Sequence, residues 1–511
     1  MTYSPSVSSA TDFAANPDNY VEILSSLQSG DTLKLAPGTY ASGLDIYQLN
    51  GYEGRWITIE GPVSGEAAVF LGRTDRSTVT IRDSSYVRLI GLHLVADETN
   101  PKHGIELLPE SEYAHHITIQ ELHIRGFKQS ADSSAIITRA PVWDWDIRLN
   151  TIEDVGTGLS LGNKNQPSQF IRGNIEQNVI LQAFAYAIFI GQQNGRPDII
   201  GVPQQSSSIY IRDNVMSKSG VARTNATGRP MVLLERQSET GFSENDNYQI
   251  YGNFFYENEF VDQALIVAEG NVKFHNNILV NSNGSGAKFG SSSENLRELE
   301  CFNNTVLVQK NGIFLENPNA GFEQRIVGNA VFAQVPITNP NGLTEKNFTD
   351  AYISANQFLE NPENFNYYPK RDQLEGSQIN LEYYNYLRAY NMDFNGEIRR
   401  GSTRGAYVDN GGNSGWRIHL GRKNRDVRSN QDAGLSDASN QGGKDSTYSG
   451  PDLADAGQSK PDAAAIIEKT KDANCSCNSS SKLSILKWEL FPCLVFLLVI
   501  ARVRKAKLVT T

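Results

Sequence analysis

At 511 residues the chain exceeds the usual length of one domain, although repetitive β-structures run long as single units, so length alone does not force a division. Lys and Arg total 46 against 57 Asp and Glu, a formal net charge of −11. That excess repels a polyanion at long range and argues against a nucleic-acid partner. The four cysteines, at 301, 475, 477 and 493, have neither the spacing of a disulfide framework nor that of a zinc site.

The N-terminus, MTYSPSVSSATDFAANPDN, has no basic segment and no apolar core and does not read as a signal peptide. Residues 18–28 follow as a short amphipathic helix, which would cap an otherwise exposed sheet end. Residues 1–32 are assigned to this segment and its cap.

From residue 33 to 341 the sequence repeats. Alternating strand-like runs ending in a small or amide residue recur as VRLIG (87–91), ITIQE (117–121), WDIRLN (145–150), NIEQN (174–178), IYIRDN (209–214), YQIYGN (248–253), VKFHNN (272–277), LECFNN (299–304) and RIVGN (325–329). Each interval between run ends, 24 to 39 residues, accommodates three short strands and three turns. A second register is locked to the same period: GIELL (104–108), AIITR (135–139), GLSLG (158–162), AIFIG (187–191), MVLLER (231–236), ALIVAE (264–269), GAKF (286–289) and GIFLE (312–316). Two registers on one period predict an all-β, three-sided solenoid. Asn150, Asn178, Asn214, Asn253, Asn277, Asn304 and Asn329 fall at equivalent turns, where Asn tolerates left-handed backbone and satisfies backbone groups, so they are expected to stack as an internal amide ladder.

On these repeats, and on SGDTLKLAPGTYASGL (29–44), the chain resembles the pectin-lyase-like superfamily of right-handed parallel β-helices, and most of all its bacterial β-helix repeat proteins. The resemblance runs from about 33 to 341 and implies the fold more specifically than the activity, because such folds host lyases, hydrolases, epimerases and adhesins. The paired-aspartate runs of polygalacturonase-like hydrolases and the Tyr-Gly-Asp-Pro-His motif of alginate epimerases are absent from the sequence.

Residues 342–421, with NFNYYPK (364–370) and LEYYNYLRAY (381–390), read as a packed C-terminal cap; 422–481, poor in apolar residues, as a disordered linker. Residues 482–511 contain an apolar stretch followed by Arg502, Arg504, Lys505 and Lys507, which predicts a membrane or sorting segment with the large N-terminal part outside the cytoplasm, at the cell surface. CSCNSS (475–480) before it resembles a bacterial surface-sorting signal, with Cys475 or Cys477 as the processed residue.

The resemblance places a substrate groove on the sheet formed by the second register. Alternation then puts Glu106, Arg139, Ser160, Phe189, Leu233, Glu235, Ile266, Lys288, Phe314 and Glu316 on its outer face. Two insertions, 191–208 and 217–230, bring Arg196, Asp198, Arg223 and Arg229 beside Glu235 and Arg236, while Arg139 and Lys164 approach from earlier coils. Converging cations in an acidic protein point to an acidic polysaccharide. The expected reaction is β-elimination, which needs a base at the sugar C5 proton and a group that neutralises the uronate carboxyl. Arg236, Arg229, Arg139 and Lys164 are the candidate catalytic residues; Arg196, Arg223, Glu235, Phe189, Lys288 and Phe314 the candidate sugar contacts. Glu235 and Asp198 are candidate calcium ligands. His103 stands as a reserve base, whereas His93, His123 and His275 fall within strand patterns. A monomer is expected, with noncatalytic glycan binding as the alternative function.

Overall fold

The computed structural model describes residues 9–96, 102–162, 168–221, 228–259, 262–293 and 296–424, all within one compact unit, Met1–Asn440. The expected processing site at Cys475 and Cys477 and the expected membrane segment lie outside them. Among the described residues no helix is long and apolar enough to cross a membrane.

Among the described residues nearly every strand pairs in parallel, and the parallel pairings form two sheets of 15 and 21 strands. Followed by register they make three ladders. A typical coil runs through Ala114–Gln120 in the first ladder, His123–Arg125 in the third and Ser134–Thr138 in the second. Thr151–Leu161 and Val179–Ile190 are long enough to serve the third and second ladders in turn, which joins these two into one sheet. The result is a parallel β-helix.

Its core follows from period-two alternation, which sends every second side chain inward. In the first ladder Leu33, Ile59, Leu89, Ile119, Ile147, Ile175, Ile211, Ile250, Phe274, Cys301 and Ile326 pair in unbroken succession, and all are buried. Cys301 is one layer of this stack. The burial of both faces elsewhere reflects a chain that covers itself, described below.

The amide ladder forms as expected. Asn150 donates to Asn178 at 2.9 Å, Asn178 to Asn214 at 3.0 Å, Asn214 to Asn253 at 3.0 Å and so on to Asn329. It continues one coil further, because Asn329 donates to Asn347 at 2.9 Å and Leu343–Glu345 and Phe348–Asp350 join the first and third ladders. The coils therefore run past residue 341. The left-handed bend lies one residue earlier than expected: Leu149, Gln177, Asp213, Asn276 and Asn303 have φ between 52° and 59°. The ladder asparagine points its amide inward, so its predecessor takes the bend.

Tyr20–Leu24 is the only helical turn of the predicted 18–28 segment; Tyr20 packs edge-on against Tyr40 at 5.0 Å and donates to the Gly43 carbonyl at 2.6 Å. At the other end, 355–424 turns back along the outside of the coils as a strap. Tyr367, Tyr368, Phe394, Tyr407 and Ile418 cover the outer residues Val215, Phe254, Ile278, Leu307 and Ala330 of the third ladder. Residues 381–390 lie on the first ladder, where Tyr384 stacks on Phe302 at 3.9 Å and Tyr386 donates to Glu300 at 3.2 Å. The strap ends with Lys423 buried against Asp213 at 2.8 Å, so the packed region extends two residues past the expected boundary at 421.

Burial under the strap pushes the Glu300 carboxyl from 4.5 up to about 7. An acid that holds its proton more tightly when folded makes stability fall as pH rises from about 4.5 through about 7. Glu300→Gln is therefore expected to match the parent in urea midpoint at pH 5 and to exceed it at pH 8; equal midpoints at pH 8 would show that Glu300 carries no such cost.

Candidate active face

On the second ladder Asp45, Thr80, Glu106, Ile137, Ser160, Phe189, Leu233, Val267, Lys288, Phe314 and Thr338 pair each with the next, forming one outward row. Six of the expected face residues, Glu106, Ser160, Phe189, Leu233, Lys288 and Phe314, stand in it. Ile266 does not: it is buried in the core, and Val267 takes the outward place. Leu265 and Ile266 are both buried, so the apolar run there carries no alternation to read.

From Ile137 to Val267 this row is mostly apolar. Beside it Tyr186 stacks on Phe189 with centroids 5.3 Å apart, and the Arg229 guanidinium lies 5.1 Å from the Tyr186 ring centre. The result is a flat aromatic and cationic platform. Burial pushes the Tyr186 hydroxyl up, opposed by Arg229, so the phenol remains a neutral donor at physiological pH.

Toward the N-terminal coils the face becomes polar. Arg139 Nε donates to Glu106 Oε1 at 2.7 Å, and Ser77 Oγ donates to Glu106 Oε2 at 2.5 Å. Arg139 Nη2 lies 3.1 Å from His103 Nε2, while Nδ1 of that imidazole accepts the Ser134 N–H at 3.1 Å. Burial pulls the His103 ring down to about 4, against the opposing pull of Glu106, so the ring is neutral at pH 7. Glu106 is 8% exposed and His103 5%, whereas the Arg139 side chain is 35% exposed and is the cluster's approachable member. Ser77 was not foreseen, since nothing in RSTVT sets it apart from an ordinary strand hydroxyl.

The remaining candidates separate. Arg196 does not reach the face: it pairs with Asp246 at 2.7 Å and donates to the Pro203 carbonyl at 3.0 Å. Its side chain is 5% exposed, so it serves to brace its own loop. That loop leans on the first ladder, where Val202 and Ile199 pack with Trp143 and Ile171, and Asp198 is exposed upon it. Glu235 accepts the Gln192 N–H at 2.8 Å, Arg236 pairs with Glu239 at 3.1 Å and Lys288 pairs with Glu316. Among the described residues no group of three or more His, Cys, Asp or Glu side chains is placed to hold a metal ion. Lys164 and Arg223 lie outside the described residues.

A second cluster lies at the start of the first-ladder strands and was missed entirely. Tyr86, His116, Asp144 and Arg172, one per coil, all adopt left-handed backbone, with φ of 51–57°. Tyr86 stacks on His116 at 4.2 Å, His116 Nε2 lies 3.4 Å from Asp144, and Arg172 pairs with Asp144. His115 Nδ1 and His116 Nδ1 are 2.7 Å apart. These rings occupy one another's faces, which accounts for the cluster as packing.

No protein-family model matches the chain, and no curated protein matches it. Among solved structures, an alginate lyase from Paenibacillus sp. strain FPU-7 is similar over 67% of this chain and 99% of its own, at 15% identity and a TM-score of 0.42. Pectate lyase Pel9A is similar over 82% and 98%, at 12% identity and 0.39. A GH136 lacto-N-biosidase from Eubacterium ramulus is similar over 67% and 68%, at 8% identity and 0.39. The two long all-parallel sheets are those of a parallel β-helix.

Proposed function

We propose that the protein is a carbohydrate-active β-helix that lays an extended acidic glycan along the outer face of the second ladder and cleaves it as a lyase. The coil is read as three-sided, closed at its N-terminal end by the Tyr20–Leu24 turn. One observation carries the choice of face. The strap buries Val215, Phe254, Ile278 and Ala330 of the third ladder completely and lies across the first, while the second-ladder residues Ser160, Phe189, Leu233, Val267 and Phe314 stay half exposed. Sugar rings, apolar on their faces and polar at their edges, suit a row of apolar side chains ending in polar groups. In this reading Arg139, fixed by Glu106, neutralises a carboxylate as C5 loses its proton. The base is sought among Arg229, Arg236 and Lys164, and calcium remains a proposed cofactor with Glu235 as its ligand on this face, while Asp198 stands on the loop over the first ladder. An extracytoplasmic, membrane-tethered location is proposed from the C-terminal sequence.

Noncatalytic binding is the second reading. It is favoured by the partners that Arg139, Arg229, Arg236 and Lys288 already have, since a paired arginine is a poor base. Incubating the full chain with alginate, pectate and glycosaminoglycans, with and without calcium, separates the two. Ultraviolet absorbance from unsaturated products marks a lyase, and retention on a polysaccharide gel without absorbance marks a binder; neither signal on any polymer would remove the proposal. Phe189→Ala is expected to weaken polymer retention about tenfold, the equivalent of about 1.4 kcal/mol of lost ring contact. Unchanged retention would move the binding face elsewhere.

A further inference from the structure

We propose that His103 Nε2–H and Arg139 Nη2–H together receive one anionic oxygen, so that the sugar held at this end of the face carries an acidic substituent. The inference rests on the reading of the second-ladder face as a glycan track and names the chemistry of one position on it.

The argument starts from the Ser134 amide. Ser134 belongs to the strand Ser134–Thr138 and is paired with Thr157, and its carbonyl accepts the Gly104 N–H at 3.0 Å. Its own N–H is thereby fixed in place and points at His103 Nδ1, 3.1 Å away. A neutral imidazole carries one hydrogen, and the nitrogen that accepts a backbone N–H cannot be the one that bears it. The hydrogen is on Nε2. Nε2 faces Arg139 Nη2 at 3.1 Å, and a guanidinium nitrogen only donates. Two donors thus face each other at hydrogen-bond distance.

The surroundings hold this arrangement rather than relieve it. Glu106 Oε1 fixes Arg139 through Nε at 2.7 Å, leaving Nη2 directed at the ring, and Ser77 fixes Glu106 in turn. Burial keeps the ring neutral, so it is not the second cation of a repelling pair. An oxygen anion entering from the exposed Arg139 side would accept from both donors, and charge-assisted bonds of this kind are the strong ones. His103 is then a donor to the ligand and not a base. Carboxylate and sulfate ester share the required oxygen, and the probes below distinguish them.

The test titrates the full chain, labelled with ¹⁵N histidine, with sodium glucuronate, glucose 6-sulfate and glucose. The free protein is expected to show His103 as the Nε2–H tautomer. At least one anionic sugar should bind tenfold or more tighter than glucose and shift the His103 Nε2 resonance, and which one does so identifies the substituent. Arg139→Met and His103→Leu should each abolish the preference for the anion. His103→Gln, which offers an amide N–H from a similar position, should keep it within about threefold. Thermal unfolding of each variant shows whether the fold is intact, and Arg139→Lys, which retains the charge but not the directed donor, serves if Arg139→Met fails to fold; it should lose most of the preference. The Nδ1–H tautomer, or equal affinity for all three sugars, would overturn the inference. If polymers are retained on the face while the anionic sugars show no preference, this inference falls and the glycan track stands. If glucuronate binds but no polymer does, the reverse holds.

Discussion

Asn253→Ala is expected to lower the unfolding free energy by about 3–5 kcal/mol, enough to remove much of a typical domain's stability. The Oδ1 of Asn253 accepts both the backbone N–H and the side-chain Nδ2 of Asn214, each at 3.0 Å. Its own Nδ2 donates to the Ile211 carbonyl at 2.8 Å and to Asn277 at 3.0 Å. Alanine leaves two donors of Asn214 and the carbonyl of Ile211 in a dry interior, and each stranded group costs about 1–3 kcal/mol. Asn253→Asp should be worse, because a carboxylate would face the Asn277 oxygen. Asn347→Ala, at the partly exposed end of the ladder, should cost less than half as much. Urea unfolding measures all three. Equal losses at Asn253 and Asn347 would mean that burial of the ladder does not set its contribution.

The second large effect is expected at the far end of the strap. Lys423 Nζ donates to Asp213 at 2.8 Å and to the Gly252 carbonyl at 2.7 Å, and lies 3.6 Å from the centre of the Phe394 ring. The side chains of the pair are 2% and 4% exposed. Removing one member takes its buried counter-charge from the other, a loss of about 3–5 kcal/mol, whereas replacing both with uncharged groups costs far less. Lys423→Met alone should therefore lower the urea midpoint sharply, and adding Asp213→Asn should restore most of it. A chain ending at residue 422, which keeps Arg422 on the Leu149 carbonyl, should behave as Lys423→Met does, and one ending at 424 as the parent. Failure of the double variant to recover would assign the loss to packing on Phe394 instead of to charge.

The sequence exposes most plainly what recurs once per coil. The amide ladder and the second-ladder row are legible because a parallel coil places equivalent residues in register, so a single period fixes Asn150 to Asn329 and also Glu106, Ser160, Phe189 and Phe314. Legibility fails where that rule is suspended. Ile266 was misplaced because burial on both sides erases alternation. Arg196 was misplaced because an insertion's direction depends on what it finds to pack against, here Trp143. The aromatics of 364–370 and 381–390 were recognised as packed, but the coils they cover could not be read, since a strap lying lengthwise owes nothing to the period. The donor pair of His103 and Arg139 joins residues 36 apart in sequence, and it becomes visible only when the hydrogen count of one imidazole is taken against its two neighbours.

The strap also bears on how the chain comes into being. Arg422 donates to the carbonyl of Leu149, 273 residues earlier, while each coil needs only its neighbours. Coils can stack as they emerge during synthesis, yet the greasy outer stripe of Val215, Phe254, Ile278 and Ala330 must wait for the last part of this unit before it is covered. For that interval a nearly finished molecule presents to its surroundings a surface that the finished one conceals.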